Sequence, residues 1–277
     1  MDIWSQIYLI DKGERLLKYI THYQRLYFDK DYTGYSYTPK PKALKQISDK
    51  IKDVVIKRDL KDVSVSLPKS IYIEHRIDLP PKIIKQYKQF KDEQVLELDG
   101  EGYVALSVSA LVNKLSQFAN GFIYDENMNA SNIHNEKINS LLDIMEDNPN
   151  ENMLIAYKFK EDLERLKKIK GVELFNNTEQ QIQRWNNGEI KYLVAHPSSC
   201  AYGINLQYGA SMIIWYGMNY SLELTQQFNA RLIRQNVDKT VRIINLICNN
   251  TIDTLIHKQI SKKEINQKSL LKSLSTI

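Results

Sequence analysis

The chain has 277 residues, 43% of them apolar and 10% aromatic, with a formal net charge of +5. These values exclude a disordered polypeptide and allow one large domain or two ordinary ones. No apolar run reaches the ~18 residues of a membrane span, and Met-Asp-Ile-Trp starts no signal peptide, so a cytoplasmic protein with reduced thiols at Cys200 and Cys248 is expected.

In chain order, helical periodicity covers residues 14–28, 44–56, 81–97, 108–118 and 135–145, and the alternating stretch 70–79 predicts a strand. Residues 31–41, rich in Tyr, Thr, Gly and Pro, predict a long loop. Lysines crowd residues 40–61 and 258–272, which suits polyanion contact and solvated helix faces equally. Phe122-Ile-Tyr-Asp125-Glu126 imitates the acidic box of an ATPase. Asn120-Gly121 before it and Asn127-Met-Asn129 after it are turn sequences, however, and predict a hairpin with Asp125 in its turn. The five histidines (His22, His75, His134, His196, His257) keep no ligand spacing with the cysteines, so no metal site is expected.

The polar cluster Asn148-Pro149-Asn150 divides the chain into residues 1–148 and 149–277. Beyond it, apolar strands at Met153–Ala156, 172–175, 190–195, Met212–Trp215 and Val241–Cys248 alternate with amphipathic helices at 160–170, 178–186 and 221–235. A last, lysine-rich helix covers 251–274. This pattern predicts an α/β fold: a parallel sheet of about five strands or more flanked by helices, preceded by a mainly helical region. The functional loops of such a sheet are expected at the carboxyl ends of its strands. Trp185 and Trp215 fall on apolar faces and predict core positions.

One block carries most of the chemistry. The strand Tyr192-Leu-Val-Ala195 leads into Gly203-Ile-Asn205-Leu-Gln207, and the strand Met212-Ile-Ile-Trp215 into Gln227-Phe-Asn-Ala-Arg231-Leu-Ile-Arg234-Gln235. Two arginines three apart on a helix share a face, with Gln227 one turn earlier. Their fixed charge and rigid donor forks suit the oxygens of a phosphoryl group; a solvated face paired with acids such as Asp238 is the bland alternative.

The order of these segments resembles motifs V and VI of superfamily-two helicases, most closely Swi/Snf-type DNA translocases and their compact phage-encoded members. Met153-Leu-Ile-Ala-Tyr157 with its Glu/Lys-rich helix is similar to motif IV. Leu67-Pro68-Lys69, the following strand and Tyr87 are similar to the segment joining the two motor lobes. Met1-Asp2-Ile-Trp4-Ser-Gln6 resembles the stretch that closes the first lobe. The resemblance implies a RecA-like sheet, with residues 149–277 as the second lobe and 1–148 as the end of the first lobe plus a helical inter-lobe region. It implies that Arg231 and Arg234 are arginine fingers, partly solvated in an open cleft, and that Gln227, Gly203, Asn205 and Gln207 serve nucleotide. His196, Ser198 and Ser199 stand near the family's DNA-touching Ser-Thr pair, which here reads His196-Pro197. Two further departures are Asn236-Val237 in place of Gly-Gln, and Tyr216-Gly217 in place of an acidic residue. Trp4 is expected to be orphaned, its partners belonging to the missing lobe.

None of the ten glycines precedes Lys-Ser or Lys-Thr, so the chain has no phosphate loop of its own. It resembles the second half of an ATP hydrolase, inactive alone, with ATP and Mg2+ bound only in the complete two-lobe enzyme. The implied partners are double-stranded or branched DNA and an N-terminal ATPase lobe, with no membrane, in the bacterial host cytoplasm if phage or prophage encoded. A stand-alone α/β module that binds DNA or protein without ATPase activity is the competing reading. A Rossmann-like small-molecule enzyme is disfavoured by the lack of G-x-G-x-x-G.

Overall fold

The computed structural model describes residues 3–30, 37–56, 67–99, 104–200, 203–235, 237 and 239–275. It divides into two compact units, residues 1–64 with 261–277, and residues 65–260.

The first unit holds α1 (Ile3–Asp11), α2 (Ile20–Tyr27), the antiparallel pair β1 (Phe28–Lys30) and β2 (Tyr37–Pro39), and α3 (Ala43–Ile51). Its core gathers Ile7, Leu16, Tyr23, Tyr27, Ile47 and Ile51. The helix expected from residue 14 begins only at Ile20, because Gly13 (φ +94) and Leu17 (φ +73) are left-handed and break the ladder. A Cβ at position 13 would stand 2.6 Å from Lys18 Cα, so this turn requires glycine. Trp4 is not orphaned: its indole N–H donates to the Leu17 carbonyl at 3.0 Å, and its ring stacks on Tyr8.

The second unit runs β3 (Ser70–Ile77), α4 (Pro81–Asp99), α5 (Val104–Asn120), β4 (Phe122–Tyr124), β5 (Ala130–Asn132), α6 (Glu136–Asp147), β6 (Met153–Ala156), α7 (Lys160–Leu166), β7 (Val172–Leu174), α8 (Glu179–Asn186), β8 (Tyr192–Ala195), β9 (Met212–Trp215), α9 (Leu222–Asn229) and β10 (Val241–Cys248). A final helix, α10 (Ile252–Ser275), counts with this unit as far as Ile260. Six strands form one parallel sheet in the order β3-β10-β9-β6-β8-β7. β6 and β9 are buried along their whole length, as strands covered by helices on both faces must be. β3 is one of the two edge strands, paired with all eight residues of β10, and it leaves Ile71, Tyr72 and Ile73 exposed. The division expected at 148/149 therefore falls inside this unit, since residue 70 and residue 241 belong to one ladder.

β4 and β5 form the predicted hairpin. Asp125 sits in its turn, where its carboxylate accepts from the amides of Asn127 (2.9 Å) and Asn129 (2.8 Å). α9 too is shorter than its periodicity suggests. α9 ends at Asn229 rather than 235, and Arg231 and Arg234 lie in the turn beyond it. There the amides of Leu232 and Ile233 both donate to the Asn229 carbonyl, while the buried Asn229 side chain accepts from the Trp215 indole at 3.0 Å.

Candidate functional site

After β8, the chain makes a short 3-10 turn, Pro197–Cys200, then runs back along the sheet to the amino end of β9. Its return path, residues 203–209, is the loop that carries Gly203, Asn205 and Gln207. Gly203 is left-handed (φ +66), with open space around it, and supplies the bend. Both arginines close on this loop. Arg231 donates through Nε to the Gln227 carbonyl (3.1 Å) and through Nη1 to the Ile204 carbonyl (3.1 Å). Arg234 donates to the Ala230 carbonyl (3.2 Å) and to Asn205 Oδ1. The two motifs are thus one structure, although the shared helical face inferred for the arginines is not what brings them together.

The arginines differ in exposure. Arg231 is 7% exposed, contrary to the expected partial solvation, whereas Arg234 is half-buried. Burial pulls the Arg231 guanidinium below its ordinary range, and the nearby Arg234 charge adds to the shift. Gln227 turns its side chain away, donating to Glu223 Oε1 at 3.0 Å. The side-chain oxygen of Gln207 is buried without a hydrogen-bond partner among the described residues. Asn236 and Asp238, a family departure and a candidate arginine partner, lie outside the described residues.

The loop is gripped from its other side by two residues the sequence did not single out for this task. Trp185 donates its indole N–H to the Leu206 carbonyl (2.9 Å), and Asn186 donates to the Asn205 carbonyl (3.0 Å). Asn152, just before β6, donates to the Gly209 carbonyl at 3.0 Å. Since Asn152 leads into an amino end and Trp185 precedes β8, this cluster does not sit at the carboxyl edge where the functional loops were expected.

His196, Ser198 and Ser199 do stand at that edge. Ser198 Oγ lies 2.6 Å from His196 Nδ1, and Ser199 Oγ donates to the His196 carbonyl at 2.7 Å. Burial holds His196 below its ordinary pKa, against a raising hydrogen bond with the Lys158 backbone. These groups first of all close the 3-10 turn, which packs on α9.

The rest of the carboxyl edge is filled by a buried polar network. Lys137 Nζ pairs with Asp253 at 2.6 Å with both side chains essentially inaccessible, and it also donates to Asn120 Oδ1 (2.7 Å). Asn120 in turn donates to both oxygens of Asp162 (2.9 and 3.0 Å), of which Oδ2 also accepts the amides of Lys158 and Phe159. Burial raises Asp162 to about 6 in spite of these donors. Burial lowers Lys158 to about 8. For Lys137, burial pulls downward as the largest single cause, but the charge and hydrogen bond of Asp253, with the charges of Cys248 and Asp162, together outweigh it and leave the ammonium raised. Gly217 is needed here, because a Cβ would stand 2.8 Å from Lys158 Cβ. A cavity of about 990 Å³ opens between α6 and α7 and is lined by none of the expected site residues.

No family model matches the chain. The protein p41 of Acyrthosiphon pisum secondary endosymbiont phage 1 is 31% identical over 99% of this chain and 62% of its own length. An uncharacterized ATP-dependent helicase of Mycoplasma genitalium, MG018, is 24% identical over 84% of this chain and 24% of its own length. The chain thus spans less than two thirds of either relative. Among solved structures, the C-terminal part of the Fun30 ATPase domain matches with a TM-score of 0.56 and 17% identity, covering 70% of this chain and 90% of that one. The SWI2/SNF2 ATPase core of Sulfolobus solfataricus matches with a TM-score of 0.52 and 16% identity, covering 95% and 56%. The class of fold is therefore a RecA-like α/β lobe preceded by a helical region. Within that class, the chain resembles the C-terminal half of Swi/Snf-type superfamily-two ATPases, in agreement with its motifs.

Proposed function

We propose that this chain is the C-terminal lobe of an ATP-dependent DNA translocase or helicase, supplying arginines to ATP held by a first lobe and forming part of the DNA track. The observation that carries the reading is the direct bonding of Arg231 and Arg234 to the Ile204–Asn205 segment, which joins two motifs 27 residues apart. Within it, residues 1–148 contribute the end of the first lobe and the inter-lobe region, with Ser70–Ile77 completing the sheet of residues 149–277. The reading places the activity in the cytoplasm, that of the bacterial host if the chain is phage or prophage encoded.

The two guanidiniums fit half of a nucleotide site. Their donor forks match phosphate oxygens, while the Gly-Lys-Ser/Thr loop and magnesium carboxylate must come from elsewhere. Bound ATP with Mg2+ supplies the phosphoryl chemistry. This chain's part is charge and order: Arg234, the more accessible arginine, meets phosphate oxygens, and Arg231, the buried one, holds the loop in register. Gln227, Gly203 and Gln207 shape the nucleotide side, and His196, Ser198 and Ser199 offer hydroxyls and amides to DNA phosphates.

Mixing the chain with a polypeptide carrying a Swi/Snf-type first lobe tests the reading. DNA-stimulated ATP hydrolysis is expected from the mixture and not from the chain alone, and Arg234→Ala is expected to remove most of it. Undiminished turnover with Arg234→Ala would defeat the assignment.

A further inference from the structure

We infer that Asn186 is a positioning residue for Arg234, acting through the loop of residues 204–209; what Arg234 does rests on the function proposed above, and how it is held rests on geometry alone. The Asn186 amide works in both directions. It donates to the Asn205 carbonyl at 3.0 Å and accepts from the Tyr208 amide at 3.3 Å, so one side chain spans the loop as a neighbouring strand would. Trp185 adds a parallel bond to the Leu206 carbonyl. Its ring also fills the space beside Gly209, where a Cβ would come within 2.3 Å of the indole nitrogen. Adjacent residues at the end of α8 thereby fix Asn205, Leu206 and Tyr208. On the opposite side, Asn205 accepts from Arg234, so the acceptor that aims Arg234 takes its own orientation from Asn186. Asn186 is not required to end its helix, because Asn187 is the C-cap and donates its amide to the Gln183 carbonyl.

Two measurements test this. In the chain by itself, amide exchange followed by NMR should show Tyr208 exchanging about tenfold faster in Asn186→Ala, the scale of one lost hydrogen bond, with Leu193 and Val194 in β8 unchanged. Asn186→Asp keeps the acceptor for Tyr208 and loses the donor to Asn205, so it should retain the Tyr208 protection. With a first-lobe polypeptide, ATP and DNA, Asn186→Ala should lower kcat about tenfold at unchanged KM for ATP, and adding it to Arg234→Ala should cost nothing more. Unchanged Tyr208 exchange overturns the proposal, as does full turnover in Asn186→Ala when Arg234→Ala is slow. If Arg234→Ala itself is harmless, the functional reading fails instead, and the exchange measurement still decides whether Asn186 holds the loop.

Discussion

The Arg231 guanidinium donates to the carbonyl of Ile204 at 3.1 Å, in a site where the arginine is only 7% exposed. Replacing Arg231 by alanine leaves that carbonyl without its donor in a buried place, at a cost of about 1–3 kcal/mol. Replacing the more accessible Arg234 should change stability by less than about 0.5 kcal/mol, yet slow the complemented ATPase by roughly a thousandfold. Urea melts of both variants beside the turnover assay separate the two roles. Equal stability losses would refute the division of labour.

Lys137 and Asp253 form an ion pair shut away from water. Lys137→Met alone should destabilise the protein by about 3–5 kcal/mol, because Asp253 is left buried with uncompensated charge. The double variant Lys137→Met with Asp253→Leu should be more stable than either single change. Denaturant unfolding measures all three. A double variant worse than both singles would mean that the surrounding donors need the pair.

Two buried groups pull the pH dependence in opposite directions. Asp162 is raised from 3.8 to about 6, so its contribution is fully present below pH 3.8 and is lost as pH rises through 6. His134 is lowered from 6.5 to about 4 by burial, so its contribution is present above pH 6.5 and is lost as pH falls through 4. Between about pH 4 and 6 the two slopes oppose. Asp162→Asn should make stability rise more steeply with pH across that window than in the parent, and His134→Gln should make it fall. Chemical denaturation at half-unit pH steps checks both signs, and parallel profiles for all three proteins would contradict them.

Among the described residues, the Asp125 side chain bonds only within its hairpin turn, to Asn127 and Asn129. Its carboxyl lies below the ordinary carboxylate range because the Asn129 amide, first among its donors, stabilises the charge. Asp125→Ala is expected to leave complemented ATPase activity intact. A large loss would make the Phe122–Glu126 segment a true acidic box.

Much of the fold was legible because burial on both faces writes itself as unbroken apolar runs. β6, β9 and β10 stand where Met153–Ala156, Met212–Trp215 and Val241–Cys248 predicted them. Helix ends were less legible. α9 stops at Asn229, where the amides of Leu232 and Ile233 both close on one carbonyl in a turn that no periodicity records, and α2 starts late through a left-handed Leu17. The buried network left one readable trace: Lys137 occupies the apolar register of α6 with Leu141 and Ile144. A lysine at such a position needs a buried partner, but nothing local says that it is Asp253.

The sequence by itself determined the parallel α/β sheet and the pairing of a Gly-Ile-Asn-Leu-Gln loop with two arginines, since strand burial, turn chemistry and motif order are local properties. The tertiary structure decided which arginine is buried and which accessible, that Trp185 and Asn186 hold the loop between them, and that the carboxyl edge is occupied by Lys137, Asp162 and Asp253. Those outcomes depend on contacts between segments 19 to 116 residues apart, such as Asn186 with Asn205 and Lys137 with Asp253, whose energies exist only once the sheet has brought the segments together.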